Sequence, residues 1–303
     1  MKERAELLGP HRGLLGIVTE PDGPDDGAAR PAIVLLNAGL MHRIGPFRLY
    51  VLLARALAKA GFTVLRLDLS SKGDSPPRPG ARSYRESVRA DLADAFEHLQ
   101  RTRGLSRFVL LGLCSGADDA FRNGIDDPRV AGIALLDGYA YRTPKFWLRH
   151  YGPRLLRPAK WLGFLARLLL PRRDAAGAGG EPVEDVYGMA FPPREEFAQG
   201  LRKMLARKAA VLVVHTAGWY GYYNYAEQFR DAFPEIAADP AVTVCYFGRA
   251  DHTYTLAADR RQLIELVCDW AGRNFGREAG RHAATAATEA SAAEPPARPA
   301  VSA

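Results

Sequence analysis

The chain has 303 residues, of which 48 % are hydrophobic and 25 % are charged, and it carries a net charge of +7. This length can bury one large core, and a single domain with an insertion fits it better than two equal domains. Three distant cysteines exclude a disulfide framework, no signal peptide is visible, and no segment reaches the roughly 18 apolar residues of a membrane span, so we expect a cytoplasmic protein.

Short apolar runs alternate with amphipathic helical patterns along most of the chain. The patterns predict helices over 48–60 and after a capping box formed by Ser83 and Glu86. Such alternation predicts an α/β protein with a mostly parallel, right-handed wound sheet that has helices on both faces and strands buried on both faces. The runs predicted as strands are 14–19, 32–36, 63–69, 108–113, 132–136, 210–215 and 242–247.

The end of the strand predicted at 108–113 carries the strongest sign of chemistry. The residues 112–116 read Gly-Leu-Cys-Ser-Gly, which is the Gly-x-Cys-x-Gly form of a nucleophile elbow. An elbow centred on Ser115 would need a glycine at 117, where Ala117 stands. The sequence therefore predicts Cys114 as a thiol nucleophile at a helix N-terminus, where the helix dipole favours the thiolate. Asp118 and Asp119 follow inside that helix, and we expect them to cap it or to form structural pairs.

A long insertion separates the strands predicted at 132–136 and 210–215. Its residues 141–173 contain nine Lys or Arg and no Asp or Glu, interleaved with aromatic residues and leucines and interrupted by prolines. We interpret 141–208 as a helical cap whose basic, apolar surface receives an anionic substrate or makes a peripheral membrane contact. The alternative is that its arginines only face water. Nucleic acid is not expected as a partner, since no recognised binding motif accompanies the basic residues.

The composition also predicts the domain organisation. Residues 1–140 and 209–277 form the two parts of one core, with the cap inserted between them. From residue 278 to 303 the chain is rich in Ala, Glu and Pro and contains no aromatic residue. Such a segment cannot bury enough apolar surface to order itself, so we expect a disordered tail.

The order of these segments resembles the α/β-hydrolase fold over roughly residues 12–275. The elbow lies after the third strand of the wound core, and His252 follows the last strand, where this fold places its catalytic histidine. The segment 66–75 is similar to the pattern Arg-x-Asp-x-x-Gly-x-Gly-x-Ser of many members, with Ser71 in place of the first glycine. The run 36–49 looks like the serine-aminopeptidase-like hydrolases that are associated with exosortase or exopolysaccharide gene clusters.

The resemblance implies roles for several residues. His252 would be the general base of Cys114. The oxyanion would be held by backbone N–H groups, one from Ser115 and one from Gly39 or Leu40 in the loop after the strand predicted at 32–36. We also expect His215, at the end of a strand, to be buried and hydrogen-bonded.

The catalytic acid is the open part of this interpretation. The fold usually supplies it after the strand predicted at 210–215, but the first carboxylate there is Glu227. Asp137 ends the preceding strand, at the same sheet edge as Cys114 and His252, and is the preferred candidate. A third alternative is a Cys-His dyad oriented by Asn224 or by a tyrosine.

These residues predict a hydrolase or acyl-transfer enzyme that acts on an ester, thioester or lactone through Cys114 and His252. We expect a small-molecule acyl substrate and neither a metal nor another cofactor, because no ligand spacing or phosphate-binding loop is present. The sequence leaves the oligomeric state open. The competing hypothesis is a catalytically silent relative that binds a ligand or partner through its basic cap, and the uncertain acid and the altered loop at Ser71 both favour it.

Overall fold

The computed structural model describes residues 1–22, 30–81, 83–155, 191–219 and 221–276. These residues contain one sheet of eight strands in the spatial order 1-2-4-3-5-6-7-8, numbered along the chain. The strands are β1 (Lys2–Leu8), β2 (Leu14–Glu20), β3 (Ala32–Leu36), β4 (Val64–Leu67), β5 (Phe108–Leu113), β6 (Val130–Leu136), β7 (Ala210–Thr216) and β8 (Val242–Phe247).

Strands β3 to β8 are parallel to one another, so the prediction of a mostly parallel sheet is confirmed. The antiparallel part lies at one edge, where β2 pairs antiparallel with both β1 and β4. Strand β1 is not among the predicted strands, since most of its charged side chains are exposed and the sequence lacks an apolar run there. Burial on both faces is also wrong for β8, which forms the other edge and is only half-buried along its length.

Eight helices accompany the sheet within the described residues. They are α1 (Leu49–Lys59), α2 (Tyr84–Arg103), α3 (Ser115–Gly124), α4 (Pro144–Leu155), α5 (Arg194–Ala206), α6 (Gln228–Ala232), α7 (Pro234–Ala237) and α8 (Ala257–Phe275). At the start of α2, the Ser83 hydroxyl accepts a hydrogen bond of 3.2 Å from the Glu86 N–H, which is the N-cap bond of the predicted capping box.

The central strands are buried on both faces because each face has its own hydrophobic core. On one face, alternate residues of β5 such as Leu110 pack with α2, α3 and α5. On the other face, the intervening residues such as Val109 and Leu111 pack with α1 and α8, where Trp270 is fully buried. Since the parallel strands run in one direction, their carboxyl ends meet at one sheet edge, where ligands bind in folds of this class.

The predicted cap is described only at its two ends, by α4 and α5. Residues 156–190 lie outside the described residues, as does the predicted tail 278–303. The extent of the cap and the start of the tail therefore stay predictions. Across the described ranges, none of the helices has the length and apolar character needed to cross a membrane.

Candidate active site

Cys114 lies in a sharp turn between β5 and α3, with φ of 57° and ψ of −120°. The turn has room only for glycine on either side. A Cβ on Gly112 would lie 2.1 Å from the backbone carbonyl atoms of Gly116, and a Cβ on Gly116 would lie 2.6 Å from the backbone oxygen of Asn37. The two glycines therefore let strand, helix and the loop after β3 approach closely enough to project the Cys114 side chain from the turn.

The residues predicted for the oxyanion hole lie around the start of α3. Ser115 is the first residue of α3, so its N–H has no acceptor within the helix. The Gly39 N–H donates a 2.9 Å hydrogen bond to the Ser115 hydroxyl. Leu40 follows in the surface turn and has a side chain that is 75 % exposed. The structure thus brings Gly39 and Ser115 together and occupies the Gly39 donor with a side chain.

His252 follows β8 and lies next to Cys114. Its Nδ1 is 2.9 Å from Asp137 Oδ2. Burial lowers the pKa of His252, but the interactions with Asp137 and with Cys114 outweigh it and raise the pKa to about 9. A histidine with this pKa is protonated at neutral pH, so it can give a proton to a leaving group.

Asp137 is fully buried at the end of β6, in a backbone conformation with φ of 44°. Its carboxylate accepts hydrogen bonds from the N–H of Thr216 at 2.7 Å and from the hydroxyl of Thr216 at 2.6 Å, in addition to the contact with His252. Its own N–H donates to the Val214 carbonyl oxygen at 2.8 Å. The end of β7 therefore fixes both carboxylate oxygens in front of His252.

The other groups considered for orienting the histidine point elsewhere. Glu227 lies on the surface, where its carboxylate is 3.4 Å from the Lys145 ammonium. The side-chain amide of Asn224 donates to the carbonyl oxygen of Phe146 at 3.2 Å. The geometry therefore favours Asp137 over the alternative acid Glu227 and over an amide-oriented dyad.

Three aromatic rings and one guanidinium group lie in sequence between His252 and the start of the predicted cap. We call this group the aromatic stack; it consists of Trp219, Tyr222, Arg142 and Trp147. Trp219 stacks on the imidazole with ring centroids 4.7 Å apart, and Tyr222 stacks on Trp219 at 5.4 Å. The Arg142 guanidinium lies 4.9 Å from the Tyr222 ring centroid and 5.1 Å from that of Trp147 on α4. The sequence shows this region only as an aromatic-rich loop, because ring stacking depends on the folded arrangement.

His215 is buried, as predicted, but the expectation of a hydrogen bond is wrong. Neither ring nitrogen has a hydrogen-bond partner, and Nδ1 is 4.0 Å from Asp137 Oδ1. The ring stacks on Tyr223 at 4.0 Å between centroids. Burial lowers the pKa of His215 to about 4, against the opposing effect of Asp137, so the ring is neutral and leaves Asp137 to His252.

The segment 66–75 holds the loop after β3 in place. The buried carboxylate of Asp68 accepts hydrogen bonds from the Asn37 amide at 3.0 Å and from the Arg43 N–H at 2.6 Å. Ser71, which replaces the first glycine of the pattern, has φ of 66°, the left-handed conformation that glycine favours. The altered loop therefore keeps the turn of the pattern despite the substitution.

Asp118 and Asp119 form pairs, as expected for structural residues. Asp118 lies 2.6 Å from Arg122 one turn later in α3. Asp119 accepts a 2.7 Å hydrogen bond from the Tyr84 hydroxyl and lies 3.8 Å from the Lys72 ammonium. Within the described ranges there is no group of three or more His, Cys, Asp or Glu side chains arranged to hold a metal ion.

Comparison with known proteins gives matches of two kinds. The family model described as serine aminopeptidase, S33, matches residues 29–183, just over half of the chain. The fold is similar to that of a dienelactone hydrolase from Anabaena variabilis, at 14 % identity with 90 % of this chain and 98 % of that chain covered and a TM-score of 0.53. It is also similar to an esterase from Pyrococcus furiosus, at 15 % identity, 91 % coverage of both chains and a TM-score of 0.54.

A meta-cleavage product hydrolase from Pseudomonas fluorescens is a further structure of similar fold. Its identity is 15 %, with 89 % of this chain and 97 % of that chain covered and a TM-score of 0.51. The comparison with curated proteins found no significant match. These neighbours confirm the predicted α/β-hydrolase sheet.

Proposed function

This chain belongs to the serine aminopeptidase S33 family and is a hydrolase of the α/β fold, and from that premise we propose that it cleaves or transfers acyl groups through a cysteine nucleophile. Cys114 is the proposed nucleophile, His252 the general base and acid, and Asp137 the group that orients the histidine. The substrate is a small-molecule ester, thioester or lactone. Two proteins of similar fold are named as a dienelactone hydrolase and an esterase, which agrees with this substrate class.

One observation carries the proposal: the Nδ1 atom of His252 lies 2.9 Å from the buried carboxylate of Asp137, and the same imidazole interacts with Cys114, which contributes to its raised pKa. This arrangement supports the roles of nucleophile, base and orienting group that acyl transfer needs. A catalytically silent binding protein is the weaker hypothesis, because it gives no reason for a buried carboxylate to be held against this histidine.

The reaction proceeds in two stages. The Cys114 thiolate attacks the carbonyl carbon, and the oxygen that becomes negatively charged accepts a hydrogen bond from the Ser115 N–H and from the Leu40 N–H, since the Gly39 N–H donates to the Ser115 hydroxyl. The His252 imidazolium then gives its proton to the leaving group as the bond to that group breaks, which leaves an acyl thioester on Cys114. Neutral His252 next takes a proton from water or another acceptor nucleophile, which attacks the thioester and releases the thiolate.

The proposal also covers what the surface of the predicted cap binds. Trp147, Leu148 and Tyr151 on α4 are 40 %, 70 % and 45 % exposed. Trp147 belongs to the aromatic stack that reaches His252, and Tyr151 stacks on Trp147. We propose that this surface contacts the acyl part of the substrate. Peripheral membrane contact through the cap stays a prediction.

The test compares the wild type with Cys114→Ala, Cys114→Ser and the matched control Cys245→Ala. We expect hydrolysis of p-nitrophenyl acetate to vanish in Cys114→Ala and to fall to a trace in Cys114→Ser. It should persist in Cys245→Ala, because Cys245 lies on β8 and burial raises the pKa of its thiol. Intact-mass spectrometry should find an acetyl adduct on the wild type at short reaction times. Turnover by Cys114→Ala at the rate of the wild type would refute the assignment of the nucleophile.

A further inference from the structure

Lys72 is a buried cation that the proposed reaction does not use. It lies in the turn after β4, where its N–H donates to the Leu69 carbonyl oxygen at 2.9 Å and its carbonyl oxygen accepts from the Ser75 N–H at 3.0 Å. Its side chain is only 7 % exposed. Lysine side chains are almost never this buried unless they have a partner.

The partners of the Lys72 ammonium leave its hydrogen-bonding capacity largely unused. The Asp119 carboxylate is 3.8 Å away, beyond hydrogen-bond length, and already accepts a 2.7 Å bond from the Tyr84 hydroxyl. The Tyr84 ring centroid is 4.8 Å from the ammonium nitrogen. An ammonium has three N–H donors, so a stronger acceptor would find donors available at this position.

The ammonium lies against the helix that begins at the nucleophile. Asp119, 3.8 Å from the ammonium, belongs to α3, and Cys114 is the residue directly before that helix. Burial lowers the pKa of Lys72, and the interactions with Asp119, Cys114 and Asp118 act in the opposite direction. Lys72 follows β4 and His252 follows β8, on opposite sides of β5 in the strand order.

We propose that Lys72 forms an anion subsite beside Cys114, so that the preferred acyl substrate carries a carboxylate close to its reacting carbonyl group. A substrate carboxylate at this position would accept a charge-assisted hydrogen bond from the Lys72 ammonium, in place of the long contact with Asp119. Such a bond is stronger at a buried ammonium than in water. The inference rests on the proposed function, because it names the substrate class of the same site.

The first test measures alkylation of Cys114 and needs no catalytic turnover. Iodoacetate and iodoacetamide have nearly the same size, and each reacts as the thiolate forms a bond to carbon and iodide leaves, but only iodoacetate carries a carboxylate. We expect the ratio of the iodoacetate rate to the iodoacetamide rate at Cys114 to exceed that of free cysteine by about tenfold, the size expected for one charge-assisted hydrogen bond. Peptide mass spectrometry separates Cys114 from Cys245 and Cys268.

Three variants assign the preference to the charge at position 72. Lys72→Met should bring the ratio down to that of free cysteine, whereas Lys72→Arg should keep most of it. Lys203→Met is the matched control, because Lys203 is a 59 % exposed lysine that pairs with Asp126. If Lys72→Met leaves Asp119 unpaired and unfolds the protein, the variant Lys72→Met with Asp119→Asn removes both charges together and should show the same loss of preference.

The second test uses turnover and separates this inference from the proposed function. We expect mono-p-nitrophenyl succinate to be hydrolysed with a kcat/KM about tenfold above that of p-nitrophenyl butyrate, and Lys72→Met to remove the difference. Equal kcat/KM values that depend on Cys114 would overturn the subsite and leave the hydrolase intact. A Lys72→Met variant that reacts more slowly with both alkylating reagents by the same factor would also overturn the subsite, since Lys72 would then act on the thiolate alone.

Discussion

Cys114 and Asp137 share an uncommon backbone geometry, because each ends a parallel strand with a positive φ, 57° and 44° respectively. Such conformations cost of the order of 1–3 kcal/mol per residue and persist only where the surroundings fix them. At Cys114 the close approach of Gly112 and Gly116 provides that constraint, and at Asp137 the hydrogen bonds with Thr216 provide it. Both residues that bracket the histidine are therefore held in strained backbone conformations.

The role of Asp137 can be tested with the variant Asp137→Asn. An asparagine can still accept the Thr216 N–H, but an NH₂ group facing His252 cannot accept its Nδ1–H, so the imidazolium loses its partner. We expect kcat to fall by about 10³–10⁴-fold with little change in KM. Steady-state kinetics on variants with an unchanged melting temperature measure this.

Glu227→Gln is the matched control for that substitution. Glu227 makes a surface ion pair with Lys145, and such a pair contributes little to stability or to a distant site. We expect kcat to stay within about twofold of the wild type. A large loss in Glu227→Gln together with full activity in Asp137→Asn would reverse the assignment of the acid.

The raised pKa of His252 predicts how stability depends on pH. In the unfolded chain the pKa is near 6.5, and in the folded protein it is about 9. The stabilisation from the charged form is therefore present in full below about pH 6.5 and is lost as the pH rises through 9. The quantity to follow is the free energy of unfolding of the wild type minus that of His252→Gln. We expect this difference to be larger at pH 6 than at pH 10 by on the order of 3 kcal/mol.

Urea unfolding of the two proteins at both pH values measures this difference, and the comparison cancels the titration of groups that do not interact with His252. A gap that does not change between pH 6 and pH 10 would contradict the raised pKa.

At the scale of single elements, the elbow depends on strand β5 and helix α3 packing without a side chain between their backbones. Gly112→Ala would put a Cβ 2.1 Å from the Gly116 carbonyl group, and only movement of the helix could relieve that clash. We expect a loss of at least about 3 kcal/mol in the free energy of unfolding. Thermal or urea unfolding measures it.

Gly272→Ala provides the control for this prediction. Gly272 lies inside α8, and a Cβ there would meet no heavy atom within 4 Å. Alanine is the better helix former, so we expect this variant to gain about 0.5–1 kcal/mol. Equal effects of the two substitutions would show that the elbow has more space than its geometry indicates.

At the scale of the whole molecule, one sheet edge collects groups that are far apart in the sequence. Gly39 follows β3, Cys114 follows β5, Asp137 follows β6 and His252 follows β8. Parallel strands bring their carboxyl ends to the same edge whatever the length of the connections between them. The order of the strands therefore decides which side chains can meet.

Deletion of residues 279–303 tests the predicted tail. That segment lies outside the described residues, and its composition provides too little apolar surface to dock on the core. We expect the melting temperature and kcat/KM of the truncated protein to match those of the full chain. A drop of several degrees in the melting temperature would show that the tail packs.

The sequence by itself determined the features that depend on local pattern. The parallel strands, the capping box at Ser83 and the elbow at Cys114 can be read from short segments, because burial periodicity and the fit of glycine in a turn are local properties. The edge strand β1 was missed, since an edge strand lacks the continuous burial that marks a central one, whereas β8 was predicted with the bounds that the structure has.

Only the tertiary structure decided which groups surround Cys114. The contact between Asp137 and His252 joins residues 115 positions apart. The position of Asp137 at the end of a predicted strand made it the preferred acid over Glu227, but only the folded chain shows its contact with the histidine. Lys72 lies in a loop segment, and the fold buries it between α2 and α3, where Tyr84 and Asp119 lie beside its ammonium. Burial and long-range contact are properties of the packed chain, so the contact of the acid and the buried cation become visible only once β4, β6 and β8 share one sheet.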